Sequence, residues 1–233
     1  MMCRYLENLR LLQLMAPMSF FEKDIFFTKL LYSDEPPWRT SALRACTELR
    51  GLKKNSYQPE TLRAMYSDHF VSHSNTSAVY FTDGSKTADA VSCAFIRADQ
   101  TQTYTQRIQK RASIFTAELI AVERAVHAAA AGEEIGPVVV CTDSKSAVQG
   151  IMRYMHPNPI IQEIQQAVGA RGEDVILCWV PSHIGVPLNE KADEAARLAA
   201  DLPETPVDIP RTDQRNYARA SIIRHWCEAS DDQ

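Results

Sequence analysis

Four acidic residues lie where the sequence predicts the end of a strand or a helix facing a sheet, and each is set among apolar or small residues. They are Asp83, Glu118, Asp143 and Asp193. Bringing like charges together at the ends of buried strands is costly unless something stabilises them. A divalent cation would do so, and Mg²⁺ prefers hard oxygen ligands of this kind. These four side chains are therefore candidates for a magnesium site.

The cysteines and histidines do not favour zinc. The six cysteines are all more than 30 positions apart, so no closely spaced pair of thiol ligands occurs. Cys93, Cys141 and Cys178 fall in apolar, strand-like runs, where a thiol behaves as a small core hydrophobe. His69 and His73 have a ligand-like spacing but no partners, and we interpret them as linker residues. This cysteine usage predicts a reducing, intracellular compartment, either nuclear or cytoplasmic.

Composition excludes several classes of protein. The chain has 233 residues, of which 45% are apolar and 23% charged, and its formal net charge is −4. These values are typical of a globular protein and exclude wholesale disorder. No run of about 18 uncharged apolar residues occurs, so we expect no membrane association. The sequence also lacks the glycine-rich motifs of nucleotide-binding loops and the G-x-S-x-G motif of serine hydrolases.

Changes in pattern along the chain predict three parts. Residues 1–75 are predicted to form a helical N-terminal extension and linker, residues 76–201 a catalytic domain, and residues 202–233 a Pro-containing connector and C-terminal helix. Within the central part, the predicted order of elements is β-β-β-α-β-α-α-β-α. This order predicts an α/β fold with a mixed five-stranded sheet, three antiparallel strands followed by parallel strands, flanked by helices.

Capping signals mark the predicted helices. Ser113 is a candidate N-cap for the first helix of the central part, and Gly132 a candidate stop signal. Pro187 suits the first turn of the last helix of this part. Predicted strands occupy residues 78–83, 89–97, 101–108, 138–142 and 175–180.

Four sequence blocks resemble the motifs of type 1 ribonuclease H, in the order in which that family carries them. The residues of these motifs most resemble those of the ribonuclease H domain of non-LTR retrotransposon reverse transcriptases, and the resemblance covers about residues 77–200. The blocks are YFTDGSK at 80–86, TAEL at 116–119, CTDS at 141–144 and WVPSHIGVPLNEKAD at 179–193.

The resemblance implies an endonuclease that hydrolyses the RNA strand of RNA/DNA hybrids and leaves 5′-phosphomonoesters. In the family pattern, the residues that match Asp83, Glu118, Asp143 and Asp193 hold two Mg²⁺ ions, and Mn²⁺ accepts the same oxygen ligands. His183 matches a family histidine linked to proton handling or product release, a task that suits a side chain whose pKa is ordinarily near 6.5.

Several polar groups are expected to contact the hybrid through its phosphates and ribose hydroxyls. The candidates are Gly84, Ser85, Ser113, Thr116, Ser144 and Asn189. Residues 145–173 carry only three cations, Lys145, Arg153 and Arg171. We therefore expect weak, salt-sensitive binding that depends on a polymerase or another tethering element. The chain is interpreted as a fragment, truncated product or co-opted remnant of a retrotransposon polyprotein.

Alternatives remain open at this point. The chain could be a catalytically silent nucleic-acid-binding remnant, or another nuclease of the ribonuclease H fold that acts on DNA. Individual residues also have simpler interpretations. The pair Asp83-Gly84 is a common hairpin turn signal, Asp143-Ser144 could cap a helix, and Asp193 could pair with Arg197.

Overall fold

The computed structural model describes residues 43–46, 60–61, 78–132, 136–153, 156–171, 174–182 and 184–231. From residue 78 onwards, the predicted elements are present in the predicted order. The elements are β1 (Leu43–Ala45), β2 (Ala78–Lys86), β3 (Val91–Arg97), β4 (Thr103–Ile108), α1 (Ile114–Ala131), β5 (Val138–Thr142), α2 (Lys145–Ile151), α3 (Pro159–Arg171), β6 (Val175–Trp179), α4 (Pro187–Leu198), a 3₁₀ turn (Ala199–Asp201) and α5 (Arg211–Asp231).

The sheet is mixed, as the sequence predicts. Across the described residues its strand order is β1-β6-β5-β2-β3-β4. The pairs β2–β3 and β3–β4 are antiparallel, whereas β2–β5, β5–β6 and β6–β1 are parallel. The five predicted strands are confirmed, and a sixth strand, β1, extends the sheet beyond β6.

Strand β1 lies in the segment before residue 75, so the prediction of a helical segment is wrong for residues 43–45. Leu43 is paired with Val175, and the backbone N–H of Cys46 donates to the carbonyl of Leu177 at 2.8 Å. Three residues are too short to show a strand period in the sequence, but they cover the backbone groups that β6 would otherwise expose. Apart from residues 43–46 and 60–61, the segment before Ala78 lies outside the described residues.

The helix signals are confirmed at both ends of α1. Ser113 is its N-cap and accepts a hydrogen bond from the backbone N–H of Thr116, and Gly132 is its C-cap. Pro187 occupies the first turn of α4, whose N-cap is Val186. Because α1 contributes both buried apolar residues and Glu118, the cap that fixes its start also helps to place an acidic side chain.

Apolar side chains alternate between the two faces of the central strands. Tyr80, Val138 and Val140 join the larger core cluster, which includes residues of α1 and α3. Phe81 and Cys141 join a second cluster, which includes Ala192 of α4. This is the alternation expected of strands buried on both faces. Cys93, Cys141 and Cys178 are fully buried, at 0% exposed, which confirms their prediction as core thiols.

The segment after α4 packs along β4 and the loop that precedes α1. The backbone N–H of Thr205 donates to the carbonyl of Arg107 at 2.9 Å. The side-chain amide of Gln109 both donates to and accepts from the backbone of Val207, at 2.9 Å each. Ile209 is buried in the larger core cluster. We call residues 203–213 the strap.

Helix α5 has 21 residues and is longer than the short C-terminal helix that the sequence predicts. In the part of the chain that the structure describes, none of the helices combines the length and apolar character needed to cross a bilayer.

Candidate metal centre

Three of the four predicted acidic residues converge at one edge of the sheet. One carboxylate oxygen from each of Asp83, Glu118 and Asp143 lies within 4.8 Å of the others. The register explains two of the three positions, because Thr82 of β2 is paired with Thr142 of β5 and the next residue on each strand is an aspartate. Asp83 and Asp143 therefore lie side by side on neighbouring parallel strands.

Gly84 allows the third carboxylate to approach. A Cβ atom at this position would lie 2.8 Å from the backbone nitrogen of Glu118 and 3.1 Å from the Cβ of Ala117. The absence of a side chain thus lets α1 pack directly on β2. The hairpin-turn interpretation of Asp83-Gly84 is wrong, because both residues lie inside β2, where Gly84 is paired with Cys93.

Hydrogen bonds fix the backbone around Asp143. The Thr82 hydroxyl donates to the Cys141 carbonyl at 2.9 Å, and the Thr142 hydroxyl accepts from the Ser144 backbone N–H at 3.1 Å. The indole N–H of Trp179 donates to the Asp143 carbonyl at 2.9 Å. The end of β5, with Asp143 directly after it, is therefore held by side chains from both neighbouring strands, β2 and β6.

The cluster is electrostatically unfavourable without a cation. The pKa of Asp83 is raised to about 8, first by burial and then by the charges of Asp143 and Asp193, which the Arg197 guanidinium and the Gly84 N–H only partly offset. The pKa of Glu118 is raised well above its usual range, mainly by burial and secondly by the charges of Asp83 and Asp143. Two acids at 5% and 7% exposure are thus held where their charged forms are destabilised.

The donor set fits a hard divalent cation. Glu118 Oε2 is buried and has no hydrogen-bond partner among the described residues. A buried carboxylate oxygen of this kind is expected to have a ligand. Three convergent carboxylates, without cysteine or histidine in the group, match the oxygen preference of Mg²⁺ and Mn²⁺.

Asp193 lies near this centre but is not one of the three converging carboxylates among the described residues. Its Oδ2 is 3.4 Å from Nε of Arg197, the helical pair that was the simpler interpretation of this residue. Its charge nevertheless raises the pKa of Asp83, so the two carboxylates face the same region. Membership of Asp193 in the metal site stays a prediction.

The predicted His183 lies outside the described residues. Its neighbours Ser182 and Ile184 are described and lie in the loop between β6 and α4. Its role in proton handling therefore stays a prediction.

Two of the predicted substrate contacts are buried side chains. Thr116 is 1% exposed, and its hydroxyl donates to Asp213 Oδ2 at 2.7 Å. Asn189 is 4% exposed, and its Oδ1 has no hydrogen-bond partner in the described part of the chain. The contact of these two side chains with a duplex stays a prediction.

The remaining predicted contacts are closer to the surface. Ser113 is half-buried, and its backbone N–H donates to Asp213 Oδ2 at 2.7 Å. Ser144 caps α2 by accepting from the Ala147 N–H at 3.3 Å, as the capping interpretation predicts. Gly84 and Ser85 are half-buried beside Asp83. Contact of these residues with substrate stays a prediction.

Sequence reasoning missed Asp213 and the structural role of Trp179. Asp213 is 97 residues beyond Thr116, its partner, and no periodic pattern links the two positions. A helix-start signal was present, since Pro210 precedes an Asp in the first turn of α5. That signal identifies a helix end but not the loop to which the carboxylate binds.

The mixed sheet, the helices on both of its faces and the acidic cluster beside β2, β5 and α1 define an α/β class of protein with a candidate metal centre. A family model described as RNase H matches residues 75–201, which is more than half of the chain. The chain therefore belongs to the RNase H family. No curated protein matches it.

Proposed function

We propose that the chain is a divalent-cation-dependent ribonuclease H, an endonuclease that hydrolyses the RNA strand of RNA/DNA hybrids and leaves 5′-phosphomonoesters. The observation that carries this proposal is the convergence of Asp83, Glu118 and Asp143, together with the unsatisfied Oε2 of Glu118. Membership of the RNase H family supports a hybrid as substrate.

Asp83, Glu118 and Asp143 would hold the metal, and Asp193 would join them by exchanging its pairing with Arg197 for a second ion. A pair of Mg²⁺ or Mn²⁺ ions would supply an activated water and neutralise the charge that develops on the phosphate. Buried carboxylates with raised pKa values favour this role, since a bound cation removes their mutual repulsion. His183 would transfer a proton near neutral pH.

Substrate recognition is proposed to depend on duplex shape and ribose 2′-hydroxyls rather than on sequence. Gly84, Ser85, Ser113 and Ser144 are the residues proposed to contact the backbone of the hybrid. Because few cations lie between β5 and β6, a polymerase or another tethering element would increase affinity. The family motifs favour an origin in a non-LTR retrotransposon reverse transcriptase, with residues 76–201 as its catalytic domain between an N-terminal extension and a C-terminal connector and helix.

The test is cleavage of a labelled RNA/DNA hybrid at low salt with Mg²⁺, beside matched RNA/RNA and DNA/DNA duplexes. The Asp143→Asn variant keeps the shape of the side chain and removes its charge. Asp201→Asn is the matched control, because Asp201 is exposed in the 3₁₀ turn. We expect the wild type and the control to cut only the hybrid, and Asp143→Asn to cut nothing.

Each other result identifies a different function. Cleavage that persists in Asp143→Asn would contradict the assignment of the site. Cleavage of DNA/DNA duplexes instead would indicate a DNA nuclease of the same fold. Hybrid binding without turnover by the wild type would indicate a catalytically silent binding module.

A further inference from the structure

The strap adds to the fold contacts that the family match does not include. The match ends at residue 201, whereas residues 204–213 bond to β4 and to the loop before α1. Besides the bonds of Gln109 to Val207, the Lys110 backbone N–H donates to a carboxylate oxygen of Glu204 at 3.3 Å. The strap thus runs along the segment that leads into the helix that carries Glu118.

Asp213 ends this series of contacts at the first turn of α1. Its Oδ2 accepts from the Ser113 backbone N–H and from the Thr116 hydroxyl, at 2.7 Å each. Ser113 in turn accepts from the Thr116 backbone N–H at 3.1 Å. Asp213 is 7% exposed. Charge-assisted bonds of this length at a helix N-terminus are strong, and the helix dipole favours the negative charge there.

Glu118 follows Thr116 by two residues on the same helix, so the start of α1 determines where the Glu118 carboxylate lies. Close packing at Gly84 leaves no clearance between β2 and the Glu118 backbone. No hydrogen bond from the described residues holds Glu118 Oε2 itself. The Gly84 backbone N–H and the Thr142 side chain bond to the Glu118 carboxylate, so its position depends on β2 and β5 and also on where α1 is held against them. Mg²⁺ demands near-ideal geometry at about 2.0–2.1 Å, so a small displacement of one ligand lowers its affinity.

We propose that Asp213 is a positioning residue for the metal centre: by bonding to Ser113 and Thr116 it fixes α1 so that Glu118 meets Asp83 and Asp143. This inference rests on the proposed function, since it assigns Asp213 to the same centre. It also gives the Thr116 hydroxyl a structural role in fixing the start of α1.

The test measures Mn²⁺ binding by the substrate-free full-length chain, with electron paramagnetic resonance as the method of detection. Asp213→Asn removes the charge that accepts both bonds. Thr116→Val removes one donor without changing side-chain volume, and Thr116→Ser restores the hydroxyl. Asp208→Asn is the matched control, because Asp208 is exposed on the same strap. Thermal unfolding of every variant is recorded in parallel.

Loss of a residue that orients a metal ligand typically weakens binding by 10- to 100-fold. We expect Asp213→Asn and Thr116→Val to weaken Mn²⁺ binding by about tenfold, the lower end of that range, because Asp213 acts through the helix. Thr116→Ser and Asp208→Asn should bind Mn²⁺ as the wild type does. This split between Thr116→Val and Thr116→Ser would support the positioning role.

The proposal is overturned if Asp213→Asn and Thr116→Val unfold at lower temperature but bind Mn²⁺ as the wild type does, because Asp213 would then be only a structural residue. It is also overturned if Asp208→Asn weakens binding equally. Failure of the wild type to cleave a hybrid would contradict the proposed function alone, since Mn²⁺ binding is measured without substrate.

Discussion

Two carboxylates, one on helix α1 and one bonded to its first turn, are equally buried but differ in their hydrogen bonds. Glu118 and Asp213 are each 7% exposed. Asp213 Oδ2 accepts two hydrogen bonds of 2.7 Å, whereas Glu118 Oε2 has no partner among the described residues. Proteins usually satisfy the polar groups that they bury. The contrast separates a carboxylate that stabilises the fold from one that is left for a ligand.

The same contrast holds for the regions around them. Along the strap, side chains and backbone satisfy one another, as in the reciprocal bonds of Gln109 and Val207. At the metal centre, burial and neighbouring charges raise the pKa values of Asp83 and Glu118. The contacts of the strap therefore stabilise the folded chain, whereas the buried acidic residues destabilise it until a cation binds them.

The largest expected effect comes from neutralising Glu118. Glu118→Gln keeps the volume of the side chain, so we expect cleavage of the hybrid to fall by about 10³-fold, or about 4 kcal/mol, through the loss of one charged ligand. Stability in EDTA should stay equal or rise, because the folded chain no longer buries a carboxylate. Rate measurements and urea unfolding check both parts. A variant that cleaves normally would remove Glu118 from the metal centre.

A second effect is a pH dependence of stability with the sign set by Asp83. The pKa of Asp83 is about 8 in the folded chain and has its ordinary value of 3.8 in the unfolded chain. Because the unfolded state binds fewer protons between these values, the free energy of unfolding falls as pH rises through that window. In EDTA, Asp83→Asn should therefore gain stability over the wild type by a few kcal/mol at about pH 8 and by little at about pH 4.

Added Mg²⁺ provides the control for this pH effect. A cation that binds only the folded chain stabilises it by mass action, and it binds the charged carboxylates. The advantage of Asp83→Asn at high pH should therefore shrink or reverse when Mg²⁺ replaces EDTA in urea unfolding. An advantage that is the same at both pH values would show that Asp83 is not protonated in the folded chain.

The acidic cluster could be predicted from the sequence because its determinants are local. Asp83 and Asp143 each follow a threonine at the end of an apolar run, and parallel strands bring their carboxyl ends to one edge. Glu118 follows a recognisable N-cap, Ser113, on an apolar helix. The order of strands and helices followed from hydrophobic periodicity in the same way.

Contacts between distant segments could not be predicted. Strand β1 has three residues and no period of its own, and it is defined by its pairing with β6. The bond from Thr116 to Asp213 joins residues 97 positions apart, so no local sequence pattern indicates it. The Asp193–Arg197 pair was one of two interpretations, and only the fold brings Asp193 close enough to raise the pKa of Asp83.

A third, smaller effect tests the close approach between the two regions. Gly84→Ala places a Cβ 2.8 Å from the Glu118 backbone nitrogen, so α1 must move. We expect a loss of about 1–3 kcal/mol in the free energy of unfolding from overpacking, together with weaker Mg²⁺-dependent cleavage. Gly169→Ala is the matched control, because nothing lies within 4 Å of its added Cβ and alanine favours a helix. Equal stability of the two variants would contradict this packing role.

The smallest expected effect tests whether the strap is bound by ordinary structural hydrogen bonds. Gln109→Ala removes both bonds to Val207 and should lower the free energy of unfolding by about 1–2 kcal/mol. Gln102→Ala, at an exposed turn position, should change it by less than about 0.5 kcal/mol. Because the hydrogen bonds of the Gln109 side chain among the described residues go to Val207, and not to Asp213 or the acidic cluster, Mn²⁺ affinity should stay at the wild-type value. A Gln109→Ala variant that loses Mn²⁺ affinity as strongly as Asp213→Asn would show that the whole strap, rather than Asp213, places Glu118.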